Sequence, residues 1–502
     1  MSSEPQHIVI GAGPAGLTAG YEFVRHGQTP LVVEREALVG GISKTQCYRD
    51  CHFDLGGHRF YTKSDYVNRF WHDTLGPEFL RRPRLSRIYY QQRFFSYPPR
   101  PWNALKGLGF AESVRIVTSY VGAQLLPHRQ PKTFAQWVTN AFGRRLFEIF
   151  FKSYTEKVWG ISCDELRAEW AAQRIKGLSL KVVLKGFLVK SRHKVTTLIE
   201  EFHYPRLGPG MLWQAVARNI EGGGGRVQLS TDAVKIRRMG PRVTGVVLAN
   251  DQGLVEVPAK SIVTSMPLTE LIAKLDPPAP LAVQQAAKAL SYRSFLTVCL
   301  IVDQAETFPD NWVYVHEPGV EVARIQNFKN WSPAMVADPE LTSLGLEYFC
   351  NEDDATWTRS DGDLIGQASR ELEAIGLVAA DKVLDGCVFR VPKAYPVYDS
   401  TYAESLETLK NYCNSFENLV TVGRNGLHRY NNQDHSMITG LFAVRNLLFG
   451  EDNDIWSVNT SQVYLEERIE GKDEAETAGA PGEANPAAPV SWKDPSSISS
   501  NA

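Results

Sequence analysis

Residues 7–27 read HIVIGAGPAGLTAGYEFVRHG, and no other stretch limits the fold as strongly. The apolar run Ile8–Ile10 reads as a short buried strand, and Gly11, Gly13 and Gly16 then open an amphipathic helix. The first glycine permits a tight turn, and the second lets a pyrophosphate approach the backbone. The third lets the helix pack closely on the strand, so that the helix N-terminus at Pro14 and Ala15 points at the phosphates. A GxGxxG alone is weak, because glycine turns are common. Here it is answered by PLVVERE, a second strand ending in Glu34, at the spacing that suits a ribose hydroxyl pair, with Arg35 next. The expectation is a Rossmann-type α/β unit that binds a dinucleotide.

Segments beyond Arg35 narrow the choice of dinucleotide. Gly40 and Gly41 form a glycine pair after the acidic strand, and FDLGGHRFYT brings Gly57 and His58. This order resembles the extended signature of FAD enzymes of the amine-oxidase type, whose second glycine loop lies along the cofactor. GPGMLWQAVARNIEGGGGRVQLSTDAVKIRR reads as helix, glycine turn, strand and strand, and the resemblance puts the backbone near Val234 against the adenine. LVTVGRNG is a strand ending in a glycine turn, with Gly423 and Arg424 as the last FAD contact. The four pieces in this order disfavour NAD as sole cofactor. They also make the FAD-binding domain discontinuous, over 1–90, 205–280 and 412–456.

The insertions between those pieces are expected to carry the substrate. Residues 91–204 lack strand alternation; in TFAQWVTNAFGRRLFEIFFKSYTEKVWG, Phe134, Trp137, Val138, Phe142, Leu146, Ile149 and Phe150 recur at three- and four-residue steps. This predicts a helical insertion. Residues 281–411 contain FLTVCLIVD, WVYVHE, VARIQNF, LGLEYFC and GCVFRVPKAY, which predict an antiparallel β-sheet domain over the cofactor. The fold class is therefore α/β with α+β insertions. Residues 466–502, rich in Ala, Pro, Gly and Ser, are expected to be a disordered tail.

A chain of 502 residues exceeds one compact core, and a net charge of -2 gives no sign of a nucleic-acid partner. Seven scattered cysteines without a CxxC pair argue against disulfides and against a metal site. The glycine motif begins too early for a signal peptide, and no apolar run reaches the ~20 residues of a membrane span. A soluble cytoplasmic protein is expected. Residues 176–194 alternate Lys and Arg with Leu, Val and Phe. They read as a solvated helix face of a lid, or as a peripheral contact with an anionic membrane surface.

Several motifs together resemble the UDP-galactopyranose mutases. SYTEKVWG looks like their helical-domain signature, and GGHRFYT like their glycine-histidine loop, with His58 at one histidine and Tyr61 where a second stands. ELRAEWAAQRI and VARIQNFKN match the segments carrying the two catalytic arginines, here Arg174 and Arg324. KAYPVYD offers Tyr395 to the nucleotide diphosphate. GRNGLHRYNNQDHSMITG resembles the last flavin segment, with Arg424 and Tyr430 matched, Asn432 or Asp434 at the ribityl chain, and Ser436 and Met437 beyond.

The resemblance implies that reduced FAD acts as a nucleophile in a pyranose–furanose isomerisation of a nucleotide sugar, a UDP-sugar in that family, for cell-surface polysaccharide. NAD(P)H would be a reductant. Arg174, Arg324 and His58 would be catalytic, with Tyr154, Trp159, Tyr395 and Tyr430 at the substrate. Two convergent arginines suit a dianionic leaving group. The alternative is an FAD-dependent oxidoreductase of the amine oxidase, protoporphyrinogen oxidase or desaturase type. The oligomeric state stays open.

Overall fold

The computed structural model describes residues 6–97, 108–168 and 201–459. β1 (Gln6–Ile10), α1 (Pro14–Arg25) and β2 (Leu31–Val33) form the opening unit, and β3 (Thr45–Tyr48) pairs with β4 (Cys51–Asp54). α2 (Asp65–Leu75), capped by the Ser64 hydroxyl, leads into β5 (Phe79–Pro83), β6 (Ser86–Tyr90) and β7 (Arg93–Ser96). The helical part comes next as α3 (Phe110–Leu125), α4 (Phe134–Phe142) and α5 (Ser153–Trp159), the last entered through a π-helical turn, Glu148–Lys152. β8 (Glu201–Pro205) precedes α6 (Gly210–Gly222) and the strands β9 (Arg226–Gln228), β10 (Asp232–Met239), β11 (Arg242–Asn250), β12 (Gly253–Thr264) and β13 (Leu275–Asp276). Then come β14 (Tyr292–Val302), β15 (Trp312–Val315), β16 (Arg324–Asn327), β17 (Thr342–Cys350), α7 (Asp361–Ile375), β18 (Val383–Pro396), β19 (Leu419–Thr421) and α8 (Gln433–Phe449).

The long strand β12 joins two layers of the first sheet. Its second half, Ala259–Thr264, pairs in parallel with β1 and β19, while β1 pairs with β2 and β2 with β9. Its first half, Gly253–Pro258, is antiparallel to β11. Ile8, Val9, Val32, Ile262 and Val263 are almost fully buried in the core that this sheet shares with α1, α6 and α8. Pieces far apart in sequence thus share one sheet, as the glycine motifs require.

The second sheet runs β18-β14-β17-β16-β15-β6-β7. Its pairs are antiparallel except β15–β6, which is parallel. Two expectations need correction here. Residues from 91 onward are not free of strands, since Arg93–Ser96 completes a hairpin with Ser86–Tyr90 and extends this sheet. Its turn is made by Gln91 and Gln92, both at positive φ (48° and 55°), without the Gly or Asn that usually marks such a turn. Glu201–Pro205 is likewise a strand, paired with β5.

All seven cysteines are free, and five of them are buried. Among the described residues no helix is long and apolar enough to cross a membrane. The tail at 466–502 lies outside the described residues, as do 176–194 and Arg174.

Candidate functional site

The ends of β1 and β2 and the first turns of α1 and α8 meet around a cavity of ≈ 890 Å³. A Cβ on Gly16 would lie 1.8 Å from the Gly11 carbonyl oxygen, so α1 can sit this close to β1 only with glycine there. Glu34 Oε2 accepts the Ala12 N–H at 2.7 Å, and the Gly40 N–H donates to the Ala12 carbonyl at 2.7 Å. The acidic strand end and the second glycine pair therefore hold the first glycine loop in shape. α1 has neither an acidic residue in its first turn nor a side-chain cap at Gly13. Its free N–H groups suit a pyrophosphate.

α8 brings a second helix N-terminus to the same place. A Cβ on Gly440 would meet the Ala15 carbonyl oxygen at 2.3 Å, so α1 and α8 pack backbone to backbone. Gly11, Gly13, Pro14, Ala15, Glu34, Arg35, Gly41, Gly57, His58, Gly423, Arg424, Asn432, Asp434 and Ser436 all line the cavity. Asn432 caps α8 and Asp434 sits in its first turn, so both remain candidates for a ribityl contact. Gly16 and Gly40 shape the loop without lining the cavity. Two other residues are placed differently from the expectation. Met437 is fully buried in the core, where its sulfur accepts the Trp71 Nε1–H at 3.3 Å. Thr231, Asp232 and Ala233 line the cavity beside Val234, while Val234 itself does not. The backbone cradle, the two helix ends and the acid at Glu34 suit FAD.

At the other end of the cavity the second sheet supplies charge. Arg324, at the start of β16, donates from Nη2 to Glu347 Oε2 on β17 at 2.5 Å and to the Tyr395 hydroxyl on β18 at 2.9 Å. Its guanidinium also lies 4.9 Å from the Phe349 ring centroid. Burial is the largest single influence and opposes its charge, but Glu347 together with Tyr395, Tyr154 and Tyr430 outweighs it and holds the pKa well above the ordinary value. Glu347 is fully buried and also accepts from Gln326 Nε2 at 2.6 Å. Arg324 Nε has no partner among the described residues. The glycine-histidine loop packs directly on this network, since a Cβ on Gly57 would lie 3.1 Å from Gln326 Nε2.

Aromatic rings close the rest. Tyr395 stacks on Tyr430 at 5.4 Å, Arg424 lies 4.5 Å from the Tyr430 centroid, and Trp159 meets Tyr395 edge-on at 6.1 Å. Tyr154 stacks on His316 at 4.8 Å. The His58 ring is within 2.9 Å of the Leu55 carbonyl oxygen through Nε2, and burial, aided by Arg424 and Arg324, pushes its pKa down to about 4. His58 is therefore a neutral imidazole donating to Leu55, which supports packing and orientation more than acid catalysis.

The SYTEKVWG motif divides into two jobs. Tyr154, Thr155, Val158 and Trp159 line the cavity. Lys157 faces away, and its Nζ donates to the carbonyls of Val315, Glu317, Val320 and Val322 at 2.8–3.2 Å. Glu156 accepts the Cys163 N–H at 3.2 Å. Gly160 ends the helix at φ 67°, and a Cβ there would lie 2.5 Å from the Arg293 guanidinium carbon. Four residues of the motif thus build the wall, while Ser153 and Lys157 tie it to the β15–β16 loop. Sequence reasoning missed Lys157 as a loop anchor and Glu347 as the partner of Arg324. The one signal for Glu347 was a lone acid in the apolar strand LGLEYFC.

Comparison with known proteins agrees with this geometry. The sequence profile of the flavin containing amine oxidoreductases matches residues 14–427. A probable UDP-galactopyranose mutase of Klebsiella pneumoniae is 27% identical over 180 residues, which are 32% of this chain and 42% of that relative. The chain therefore matches less than half the length of this curated relative. A crystal structure of a reduced UDP-galactopyranose mutase superposes with a TM-score of 0.78 at 20% identity, over 91% of this chain and 98% of that one. A protein from Exiguobacterium assigned as a protoporphyrinogen oxidase gives 0.69 at 16%, over 90% and 100%. At such identities the structural likenesses establish the fold.

Proposed function

The chain belongs to the family of flavin containing amine oxidoreductases, and from that premise we propose that this FAD-dependent enzyme interconverts the pyranose and furanose forms of a nucleotide sugar. The observation that carries the reading is Arg324, a charged guanidinium fixed by Glu347 and Tyr395 beside the glycine-histidine loop. Hydride removal from an apolar compound has no use for such a group, whereas a departing nucleoside diphosphate does. When bound, reduced flavin supplies a nucleophile for the anomeric carbon.

This chain's residues do the rest. Glu347 and the Tyr395 hydroxyl orient Arg324, which keeps donors for diphosphate oxygens and for the charge that develops as the diphosphate leaves. One such donor is worth on the order of 3 kcal/mol in the transition state. Tyr154, Trp159, Tyr395 and Tyr430 offer stacking faces for the base and sugar and keep water out. Arg174, outside the described residues, would be the second catalytic cation. The Glu347 carboxylate offsets the Arg324 charge, so the net positive charge for a diphosphate has to come from other cations, among them Arg424, which lines the same cavity and bonds only backbone carbonyls.

A second reading is an oxidoreductase acting on an apolar or amine substrate. It is favoured by the apolar end of the cavity, lined by Phe134, Phe142, Leu146 and Phe150. One experiment separates the two. The purified FAD-loaded protein is reduced with dithionite, given UDP-galactose anaerobically, and assayed by chromatography for the furanose isomer. Product in the reduced sample alone, lost in Arg324→Ala, supports the mutase. No product and no binding of any UDP-sugar overturns it, and bleaching of oxidised flavin by an amine would then establish the oxidoreductase.

A further inference from the structure

α3 is amphipathic in the opposite sense to an ordinary surface helix. Phe110, Val114, Val117, Val121 and Leu125 recur at steps of three and four, and they are 86%, 45%, 52%, 49% and 75% exposed; Leu126 is next at 87%. They form one outward stripe along a helix about 24 Å long. The inward face carries polar groups instead. Glu112 pairs with Arg145, the Ser119 hydroxyl accepts the Arg145 N–H at 2.9 Å, and Ile116 is the helix's one buried residue. Scattered exposed apolar residues need no explanation, but a continuous stripe does.

The surroundings of the stripe are basic. Between Leu108 and Glu148 there are five cations, Arg115, Arg129, Lys132, Arg144 and Arg145, against Glu112 and Glu148; Arg115, Arg144 and Arg145 pair with those two acids, and five cations less two acids leave an excess of three positive charges. Arg115, Arg129, Lys132 and Arg144 are exposed. Two copies of this chain joined stripe to stripe would bring those cations together, which disfavours a self-pairing surface. An anionic lipid surface accepts both features, with apolar side chains entering the acyl boundary and cations meeting lipid phosphates.

We propose that α3 docks the protein on an anionic membrane, lying in the plane of the headgroups. Leu108, Ile116 and Val117 also line the cavity, so this pose sets that wall of the cavity beside the lipid surface. With no described helix able to cross a membrane, the association is peripheral. The inference is independent of which reaction the cavity performs. It rests on α3 and not on residues 176–194.

The test is co-sedimentation of the full-length FAD-loaded protein with phosphatidylcholine–phosphatidylglycerol vesicles, with pure phosphatidylcholine vesicles beside them. Binding is expected to the anionic vesicles and to fall as salt is raised. The pair Val121→Glu with Leu125→Glu, which do not line the cavity, should weaken binding about tenfold or more while the flavin spectrum stays unchanged. Absence of binding by the folded protein, or equal binding by the double variant, overturns the proposal. So does loss of binding in Lys181→Glu with Lys185→Glu while the α3 variant binds normally, because the contact would then lie in 176–194. A dimer abolished by the α3 variant, without vesicle binding, would assign the stripe to a second copy instead.

Discussion

Arg324 and Glu347 set what the cavity can do, and they can be separated by substitution. Removing the arginine alone leaves a carboxylate with no cation in a fully buried site. Arg324→Met should therefore lower stability by about 3–5 kcal/mol. Adding Glu347→Gln removes the orphaned charge, and the urea midpoint should return most of the way. Turnover in the proposed reaction should not return, because the cation proposed for the diphosphate is still missing; recovery of both would make the pair purely structural. Lys157→Met is the contrasting case. It takes the shared ammonium away from four carbonyls between Val315 and Val322, of which Glu317 keeps the Val320 N–H, so it should cost roughly 2 kcal/mol and expose that loop to proteolysis. The sequence made Arg324 legible through VARIQNFKN, where the residue type and its neighbours resemble a known segment. Glu347 was not legible, because only the pairing of β16 with β17 brings it opposite Arg324. Nothing local to either residue states that register.

At the scale of elements, the cradle depends on two helices that approach without side chains between them. Gly440→Ala puts a methyl group 2.3 Å from the Ala15 carbonyl oxygen and must push α8 away from α1. Both helix N-termini would then lose their aim. The expected result is a folded protein with a sharply lower flavin-to-protein absorbance ratio, restored in part by excess FAD. Gly122→Ala on α3, where nothing lies within 4 Å, is the control and should be neutral or stabilising by about 0.5–1 kcal/mol. Full flavin loading in Gly440→Ala would remove the contact from the account of cofactor binding. These elements were readable because strand, glycine turn and helix are consecutive in sequence. The hairpin Ser86–Ser96 was not, since Gln91 and Gln92 make its turn without glycine. Its partner β15 lies more than two hundred residues away and runs parallel to it, which no local pattern encodes.

For the whole molecule, the buried histidines predict how stability depends on pH. Burial pushes His7, His58 and His428 down to about 4 and His316 down to about 3, against the ordinary 6.5. Between pH 6.5 and 4 the unfolded chain binds protons at these positions that the folded chain refuses. Their contribution is therefore complete above pH 6.5 and is lost as pH falls toward 4. Asp54 acts in the opposite direction. Burial raises its carboxyl to about 7, against the bonds from Tyr204 and Thr45, so the folded chain keeps a proton that the unfolded one gives up. That proton adds stability as pH falls from 7 toward 4. Among these five, four groups oppose one, so together they take up about three protons on unfolding near pH 5, a slope of up to ~4 kcal/mol per pH unit, and burial lowers His52 and His203 in the same direction as the four. Urea midpoints measured from pH 7 to pH 5 should fall steadily. Asp54→Asn removes the one opposing group and should steepen the fall, while His428→Asn should flatten it. Midpoints that stay level across this range would mean that these histidines reach protons in the folded state, and the closed aromatic cavity around His58 and His316 would have to open to water to allow it.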